Sequence, residues 1–458
     1  MNQPNKTNVL WILVDQMRAQ AMSHLGDPNV NTPNLDRLAV EGVEFTQAVS
    51  GTPLCTPFRG AMLTGRYPHR SSVPGLNSPL STEMPTLAHA FADHGYKTCW
   101  IGKWHLDGDR PELDLTLEVN KKDKRIIPKE RRAGFEDWWA YENNNQPFHC
   151  WVHGEQDGRT VSYRLPRYET DALTDILIDW LRNYAAGGEA RPFFASLSVQ
   201  PPHDPYVAPA ETMKNYNPAA LQLRPNVPNI PNVTDRTREE LAGYYAAIER
   251  IDWNVGRIRE TLLELGLDQN TQIMFFSDHG DLHGSHGQFR KQAPWEESIR
   301  IPFIVGGPTR KSYKTKKLDF PINHVDIAPT TLGLCGIRKP EGMDGTDYSA
   351  FILNESAVQQ DVPDSAYLSL PIPTSNLKGI ILEEGVDRPF RGIVTRDGWK
   401  YIVLENQPWL MFHLKEDPYE LVNLAHNVFY KEKRRELQQR LAEWIRETGD
   451  TFALPDVG

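Results

Sequence analysis

The sequence lacks most of the features that would place it in a specialised class of protein. Its 458 residues contain only four cysteines, too few for a disulfide framework at this length. No apolar run approaches the roughly 20 residues that span a bilayer, and no export signal is visible. The net charge of −10 argues against general nucleic-acid binding. We therefore expect no membrane or nucleic-acid partner. As the sequence stands we expect a cytoplasmic protein, or a periplasmic or secreted one if a signal was removed.

What the sequence does contain is an alternation of buried-strand and amphipathic-helix patterns. The strand-like apolar runs are residues 8–14, 97–102, 192–199 and 271–276, and the helix-like segments are residues 32–41, 85–95, 170–184 and 239–265. This alternation predicts an α/β fold, with a large and mostly parallel sheet sandwiched by helices, over residues 1–345. Charged groups follow several of the strands, and open sheets of this kind bind ligands at the carboxyl ends of their strands.

The pattern changes in the last quarter of the chain. Residues 392–395 and 399–404 flank an Arg-Asp-Gly turn, which is a hairpin signal. A charged amphipathic helix is predicted for residues 430–448. We therefore expect a smaller C-terminal α+β domain, with an antiparallel sheet and a terminal helix, over residues 346–458.

The most informative segment runs from Cys55 to Arg66 and reads Cys-Thr-Pro-Phe-Arg-Gly-Ala-Met-Leu-Thr-Gly-Arg. It fits Cys-x-Pro-x-Arg-x-x-x-x-Thr-Gly, a match that chance would give in roughly one in ten thousand chains of this length. It resembles the signature of the type I sulfatases of the alkaline phosphatase superfamily. In that family a formylglycine-generating enzyme oxidises the cysteine to formylglycine. The resemblance thus implies a sulfuric ester hydrolase whose nucleophile is made from Cys55, which we expect at a surface pocket.

The resemblance also implies cations and histidines around Cys55. Arg59 would orient the formylglycine hydrate. Lys103 and His105 resemble the family's lysine and histidine pair after the next strand. At alternate positions of an extended segment their side chains would point the same way. Lys103 would bind sulfate oxygens, and His105 would take a proton from the hydrate.

Two further residues match the family in later segments. His203, in Gln-Pro-Pro-His-Asp-Pro, resembles a histidine that is aimed at the leaving oxygen. Lys291, in Phe-Arg-Lys-Gln, resembles the second sulfate-binding lysine, with Arg290 as its nearest rival. His203 would therefore act as the general acid, and Lys291 would hold the sulfate group.

A metal site is expected where acidic residues follow two strands. Asp15 ends the first strand, and Asp278 and His279 end a later one, in a segment that resembles the family's metal segment. The family usually has a second acidic residue after the first strand, where this chain has Gln16, and we expect the amide oxygen of Gln16 to ligate the cation in its place. The resemblance implies Ca²⁺, bound jointly with the modified Cys55. The neutral amide and the imidazole keep Mg²⁺ and Mn²⁺ as competitors.

The implied mechanism uses both hydroxyls of the hydrated aldehyde. One hydroxyl, deprotonated with help from the metal and Asp278, attacks sulfur, and His203 donates a proton to the departing alcohol. His105 then deprotonates the second hydroxyl, and sulfate is expelled as the aldehyde re-forms. An ordinary serine or cysteine has no second hydroxyl and would need water to attack its sulfated form.

Two other functions remain open at this point. Phosphonate monoester hydrolases and phosphodiesterases of the same superfamily share the Cys-x-Pro-x-Arg pattern, an Asp-Gln pair and an asparagine that Asn77 could match. That group lacks the lysine and histidine found here as Lys103 and His105. The chain could also be an inactive, sugar-binding relative that retains the fold.

The sulfated substrate is not named by the sequence. The tryptophans near predicted loops, which could stack on sugar rings, are Trp138, Trp139, Trp151 and Trp295. They favour a sulfated glycan over a simple aryl or alkyl sulfate, and Asn77 and His286 are candidates for lining the substrate pocket. The basic segment at residues 121–132 is either a solvated insertion or a contact for a polyanionic substrate.

Overall fold

The computed structural model describes residues 6–307, 313, 316–353, 362–374 and 388–457. The strands of its larger sheet are β1 (Asn8–Asp15), β2 (Val43–Val49), β3 (Lys97–Lys103), β4 (Asp137–Tyr141), β5 (Trp151–Gln156), β6 (Arg159–Arg164), β7 (Phe193–Pro202), β8 (Thr271–Ser277), β9 (Phe303–Gly306) and β10 (Lys317–Asn323). The smaller sheet contains β11 (Ser365–Leu370), β12 (Phe390–Thr395), β13 (Trp399–Leu404) and β14 (Gln407–His413).

In chain order, most of the helices fall between strands of the larger sheet. They are α1 (Pro33–Glu41), α2 (Cys55–Thr64), α3 (Leu87–Asp93), α4 (Glu169–Ala186), α5 (Ala210–Met213), α6 (Pro231–Glu264), α7 (Glu296–Ile299), α8 (Ile327–Leu334), α9 (Ser349–Leu353) and α10 (Lys431–Thr448). Among the described residues, no helix has both the length and the apolar character needed to cross a membrane.

The larger sheet confirms the predicted α/β fold. Its strand order is β10-β2-β9-β8-β1-β7-β3-β4-β5-β6. The central strand β1 pairs in parallel with β7 and β8, and β7 pairs in parallel with β3. Antiparallel pairs occur around β9 and towards β6. The sheet is therefore parallel where the predicted site lies and mixed towards both edges.

Strand β1 shows why the apolar runs form the centre of the sheet. All eight of its residues are buried. Leu10, Ile12 and Val14 pack into one hydrophobic cluster with α4 and α6, whereas the alternate residues, including Trp11, pack into a second cluster with α2, α3 and α8. A strand covered on both faces has no polar side and reads as a continuous apolar run.

The smaller sheet is antiparallel, in the order β11-β12-β13-β14, and the predicted hairpin joins β12 to β13. Helix α10 covers this sheet, since Leu437 and Leu441 are buried against Tyr401 and Val403. The architecture of the C-terminal part is thus confirmed, while the boundary at residues 345 and 346 stays a prediction.

The carboxyl ends of four neighbouring strands bring the predicted site residues together. Asp15 ends β1, Lys103 ends β3, His203 follows β7 and Asp278 follows β8. Because β8, β1, β7 and β3 are adjacent and parallel, these ends lie along one edge of the sheet.

Candidate active site

Cys55 is the first residue of α2, and its side chain is buried at 2% exposure. Its Sγ lies 3.1 Å from His279 Nε2 and 3.1 Å from Lys291 Nζ, and 3.7 Å from Asp15 Oδ1. A helix N-terminus also favours negative charge at this position. The expectation that Cys55 lies at a surface pocket is wrong for the sulfur itself, because the surrounding side chains exclude solvent from it.

Four buried side chains form a group that could hold a metal ion: Asp15, Cys55, Asp278 and His279, with one ligand atom of each within 4.8 Å of the others. His279 Nδ1 lies 3.0 Å from Gly280 O. Nδ1 therefore carries the proton that it donates, and Nε2 keeps its lone pair for the group. Asp278 Oδ2 is buried without a hydrogen-bond partner and lies 3.4 Å from the Arg59 guanidinium. Two carboxylates, a free imidazole nitrogen and the residue-55 side chain suit a divalent cation.

Three cations surround the carboxylates and the sulfur. Lys103 Nζ lies 2.7 Å from Asp15 Oδ2, and Arg59 Nη2 lies 3.4 Å from the same oxygen. Burial alone would raise the pKa of Asp15, but the positive charges around it, Lys103 foremost, hold this pKa well below its usual value. Burial would likewise lower the pKa of Lys291, yet Cys55 and Asp15 raise it. The site therefore concentrates fixed positive charge, as binding of an oxyanion requires.

The two candidate histidines have different surroundings. His105 is buried, and burial together with the charges of Lys103 and Arg59 places its pKa well below the usual value. Its ring is therefore neutral near pH 7 and can accept a proton. His203 Nδ1 lies 2.7 Å from Asp204 O, which leaves Nε2 for a ligand. His203 follows β7, the strand beside β1, and its charge helps to lower the pKa of Asp15.

The prediction that Lys103 and His105 occupy alternate positions of one extended segment is wrong. His105 has a φ of 57°, in the left-handed region. The backbone N–H of Trp104 donates to the carbonyl of Tyr141, the last residue of β4, and the N–H of His105 donates to the carbonyl of Glu142, just past that strand. The chain turns at this point, and the two side chains still act on one another, since Lys103 depresses the pKa of His105.

Gln16 belongs to a hydrogen-bond chain that the sequence analysis missed. Lys291 Nζ donates to Gln16 Oε1 at 2.7 Å, and the Gln16 amide donates to Asp281, which also accepts from Tyr206. Gln16 thus orients Lys291 towards Cys55, and its role as a metal ligand stays a prediction. Asp281 lies three residues after Asp278 in the sequence, in the segment Ser-Asp-His-Gly-Asp. This closeness to the metal residues was the signal that could have identified Asp281 as part of the site.

His286 lies in a different cluster. Its ring stacks on Trp295 with centroids 3.8 Å apart, and its Nε2 accepts from Asn226 at 3.1 Å. With Glu297 and Glu420 it forms a second group of possible metal ligands, but cationic side chains already pair with both carboxylates. None of these contacts joins His286 to the group around Cys55, so its place in the substrate pocket stays a prediction.

The remaining residues that were expected to contact the substrate differ in how deeply they are buried. Trp138 and Trp295 are 1% and 8% exposed and pack in hydrophobic clusters, so the expected stacking on sugar rings is wrong for them. Trp139 and Trp151 are half-buried. Asn77 is also half-buried, and its carbonyl accepts from the backbone N–H of Asp109, which ties it to the loop after His105.

Comparison with known proteins identifies the family of the chain. The family model for Sulfatase matches residues 7–337, and that for the C-terminal part of N-sulphoglucosamine sulphohydrolase matches residues 284–447. An ulvan-active sulfatase of Formosa agariphila is 35% identical to the chain, over 99% of this chain and 84% of the relative.

Two solved structures share the whole architecture. A putative sulfatase of Bacteroides fragilis has a TM-score of 0.84 and 28% identity, covering 99% of this chain and 98% of that one. A structure from work on the metabolism of multiple glycosaminoglycans by Bacteroides thetaiotaomicron has a TM-score of 0.83 and 28% identity, covering 97% of each chain.

Proposed function

Because the chain belongs to the sulfatase family of the alkaline phosphatase superfamily, we propose that it hydrolyses a carbohydrate sulfate ester through a formylglycine made from Cys55. The observation that carries the proposal is the position of Cys55. Its Sγ lies 3.1 Å from both Lys291 Nζ and His279 Nε2, at the start of a helix and beside two carboxylates. A formylglycine-generating enzyme would be its maturation partner.

The hydrated aldehyde would supply two hydroxyls on one carbon, one to attack sulfur and one whose deprotonation expels sulfate. The surrounding residues then have separate tasks. Lys103 and Lys291 hold the sulfate oxygens, because both are buried cations beside the nucleophile. Arg59 holds Asp15 and Asp278 in place and also donates to Lys103 O and Ser198 Oγ.

Proton transfer would be divided between the two histidines. His203 donates a proton from Nε2 to the departing alcohol, since its Nδ1 is held by Asp204 O. His105 accepts a proton from the second hydroxyl, since its lowered pKa keeps the ring neutral. An acid and a base at separate positions can serve two successive steps without exchanging roles.

A divalent cation would be held by Asp15, Asp278, His279 and the oxidised residue 55, with Ca²⁺ as our proposal and Mg²⁺ or Mn²⁺ as alternatives. When bound, it would favour ionisation of a hydroxyl and offset charge on the sulfate group. Two features suit the cation: the lone pair of His279 Nε2, and Asp278 Oδ2, which accepts no hydrogen bond.

A carbohydrate substrate is supported by two relatives. One is described as active on ulvan, and another comes from glycosaminoglycan metabolism. A desulfation screen against sulfated mono- and oligosaccharides tests this part of the proposal. Turnover of simple aryl sulfates but of no sugar sulfate would contradict it.

The reaction type is tested by comparing 4-nitrophenyl sulfate with an aryl phosphonate monoester. Lys103 and His105 both lie at the site and add charge and a base suited to a sulfate monoester. We therefore expect the sulfate to have the higher kcat/KM. Preference for the phosphonate would assign the chain to the other hydrolase group, and no turnover of either ester or of any sugar sulfate would favour an inactive sugar-binding protein.

A further inference from the structure

The basic segment at residues 121–132 is not uniformly solvated, and most of its cations have structural partners. Lys121 and Lys124 pair with Glu118 at the surface. Deeper in the protein, Arg125 and Arg131 pair with Asp107, and Arg132 pairs with Glu155. The pairs with Asp107 fix the segment against the loop that follows His105, and the pair with Glu155 fixes it against β5. Their positive charges are therefore already engaged.

Lys122 has different partners. Its Nζ donates to Asn77 Oδ1 at 2.7 Å and lies 3.1 Å from Asp109 Oδ1. The side chains of Lys122 and Asp109 are 27% and 35% exposed, so both are accessible to a ligand. Such a partly exposed ion pair contributes little to stability, and a polar ligand can join it at small cost.

The backbone places this cluster beside the catalytic centre. The N–H of His105 donates to Glu142 O, and the N–H of the next residue, Asn143, donates to Lys122 O. The charge of Lys122 also contributes to the lowered pKa of His105. Lys122 and His105 are thus anchored to consecutive residues past β4.

We propose that Asn77, Lys122 and Asp109 form a sugar-binding subsite that takes two neighbouring hydroxyl groups of the ring that carries the sulfate ester. The proposal rests on the proposed function. The subsite offers an ammonium and an amide as donors and a carboxylate as acceptor, and each sugar hydroxyl both donates and accepts. The charges of Lys122 and Asp109 cancel, so the subsite selects uncharged hydroxyls rather than a second anion.

The test uses Lys122→Met and Asp109→Asn, with Lys121→Met as a matched control whose lysine pairs with a surface glutamate. Each variant is assayed with 4-nitrophenyl sulfate and with the sugar sulfate that the wild type turns over best. We expect kcat/KM for the sugar sulfate to fall at least about tenfold more than kcat/KM for the aryl sulfate in both subsite variants. The control should show no such difference.

A second measurement removes a hydroxyl from the sugar. A deoxy sugar sulfate that lacks the hydroxyl next to the ester should be a poorer substrate for the wild type, by about tenfold, but not for Lys122→Met. Equal losses on aryl and sugar sulfates, or an unchanged deoxy penalty, would overturn the subsite. The subsite is also overturned if the wild type turns over no sugar sulfate. Turnover of 4-nitrophenyl sulfate by the wild type tests the reaction type separately.

Discussion

At the residue scale, the site depends on contacts that give similar side chains different tasks. His105 and His203 illustrate this, because one ring is buried among cations and the other is held by a backbone carbonyl. Their residue type alone does not distinguish a base from an acid. The burial and the hydrogen bonds of each ring distinguish the base from the acid, and the fold determines both.

The division between the two histidines can be tested with aryl sulfates of graded leaving-group pKa. His203→Ala should lose most activity on the poorest leaving groups, because activated phenols depart without protonation; about 10²-fold is typical for a general acid. His105→Ala should keep a near wild-type kcat/KM across the series and lose kcat instead, because His105 acts only after the alcohol has departed. The slopes of log kcat/KM against leaving-group pKa measure this. Parallel slopes for the two variants would contradict the division.

The metal ligands can be tested by metal content rather than by activity alone. Asp15→Asn and Asp278→Asn each remove a charged oxygen from the group of four ligands, so both should bind less Ca²⁺ after chelation and graded re-addition. Asp179→Asn, at an exposed helix position, is the control. Wild-type metal content in both site variants, or a fully active metal-free protein, would exclude the site.

At the scale of elements, apolar periodicity predicted the central strands β1, β3, β7 and β8, because burial dictates their side chains. It also predicted the helices α1, α3, α4, α6 and α10, but the buried strands β2, β9 and β10 were not predicted. The start of α6 was missed. It begins at Pro231, eight residues before the predicted start, and its first turns carry polar residues without an apolar stripe. The turn at His105 was missed as well, since it depends on hydrogen bonds to the end of β4, a strand that is distant in sequence.

A buried ion pair joins the end of the terminal helix to the smaller sheet. Asp450, just after α10, accepts from Arg391 Nε of β12 at 2.6 Å and from Tyr367 at 2.8 Å. Removing one partner of a buried pair leaves the other charge uncompensated. We therefore expect Asp450→Asn to lower the free energy of unfolding by about 3 kcal/mol. Urea unfolding measures the change, and Asp179→Asn should be nearly neutral.

The same pair should respond to acid. Burial would raise the pKa of Asp450, but the Arg391 hydrogen bond and charge lower it to about 2. A lowered carboxyl pKa stabilises the fold above the unfolded-state pKa, and this contribution is lost as pH falls towards the folded-state value. The stability difference between wild type and Asp450→Asn should therefore be full at pH 7 and smaller at pH 3. A constant difference would show that the ion pair is not its cause.

At the scale of the whole molecule, the site is assembled from the ends of four parallel strands and the start of one helix. The sequence revealed its members through local motifs around Cys55, Lys103, His203 and Asp278. It could not reveal the hydrogen-bond chain through Gln16 or the cluster at Lys122. Those groups meet only after folding, and no local spacing records their contacts.

The most direct test of the account is to relate turnover to the chemical state of residue 55. The protein is prepared with and without a formylglycine-generating enzyme, and the mass of the peptide that contains residue 55 is measured alongside kcat for 4-nitrophenyl sulfate. Conversion of the cysteine lowers this mass by about 18 Da. We expect kcat to rise in proportion to the converted fraction and Cys55→Ala to be inactive. Full turnover by unconverted protein, or by Cys55→Ala, would contradict the account.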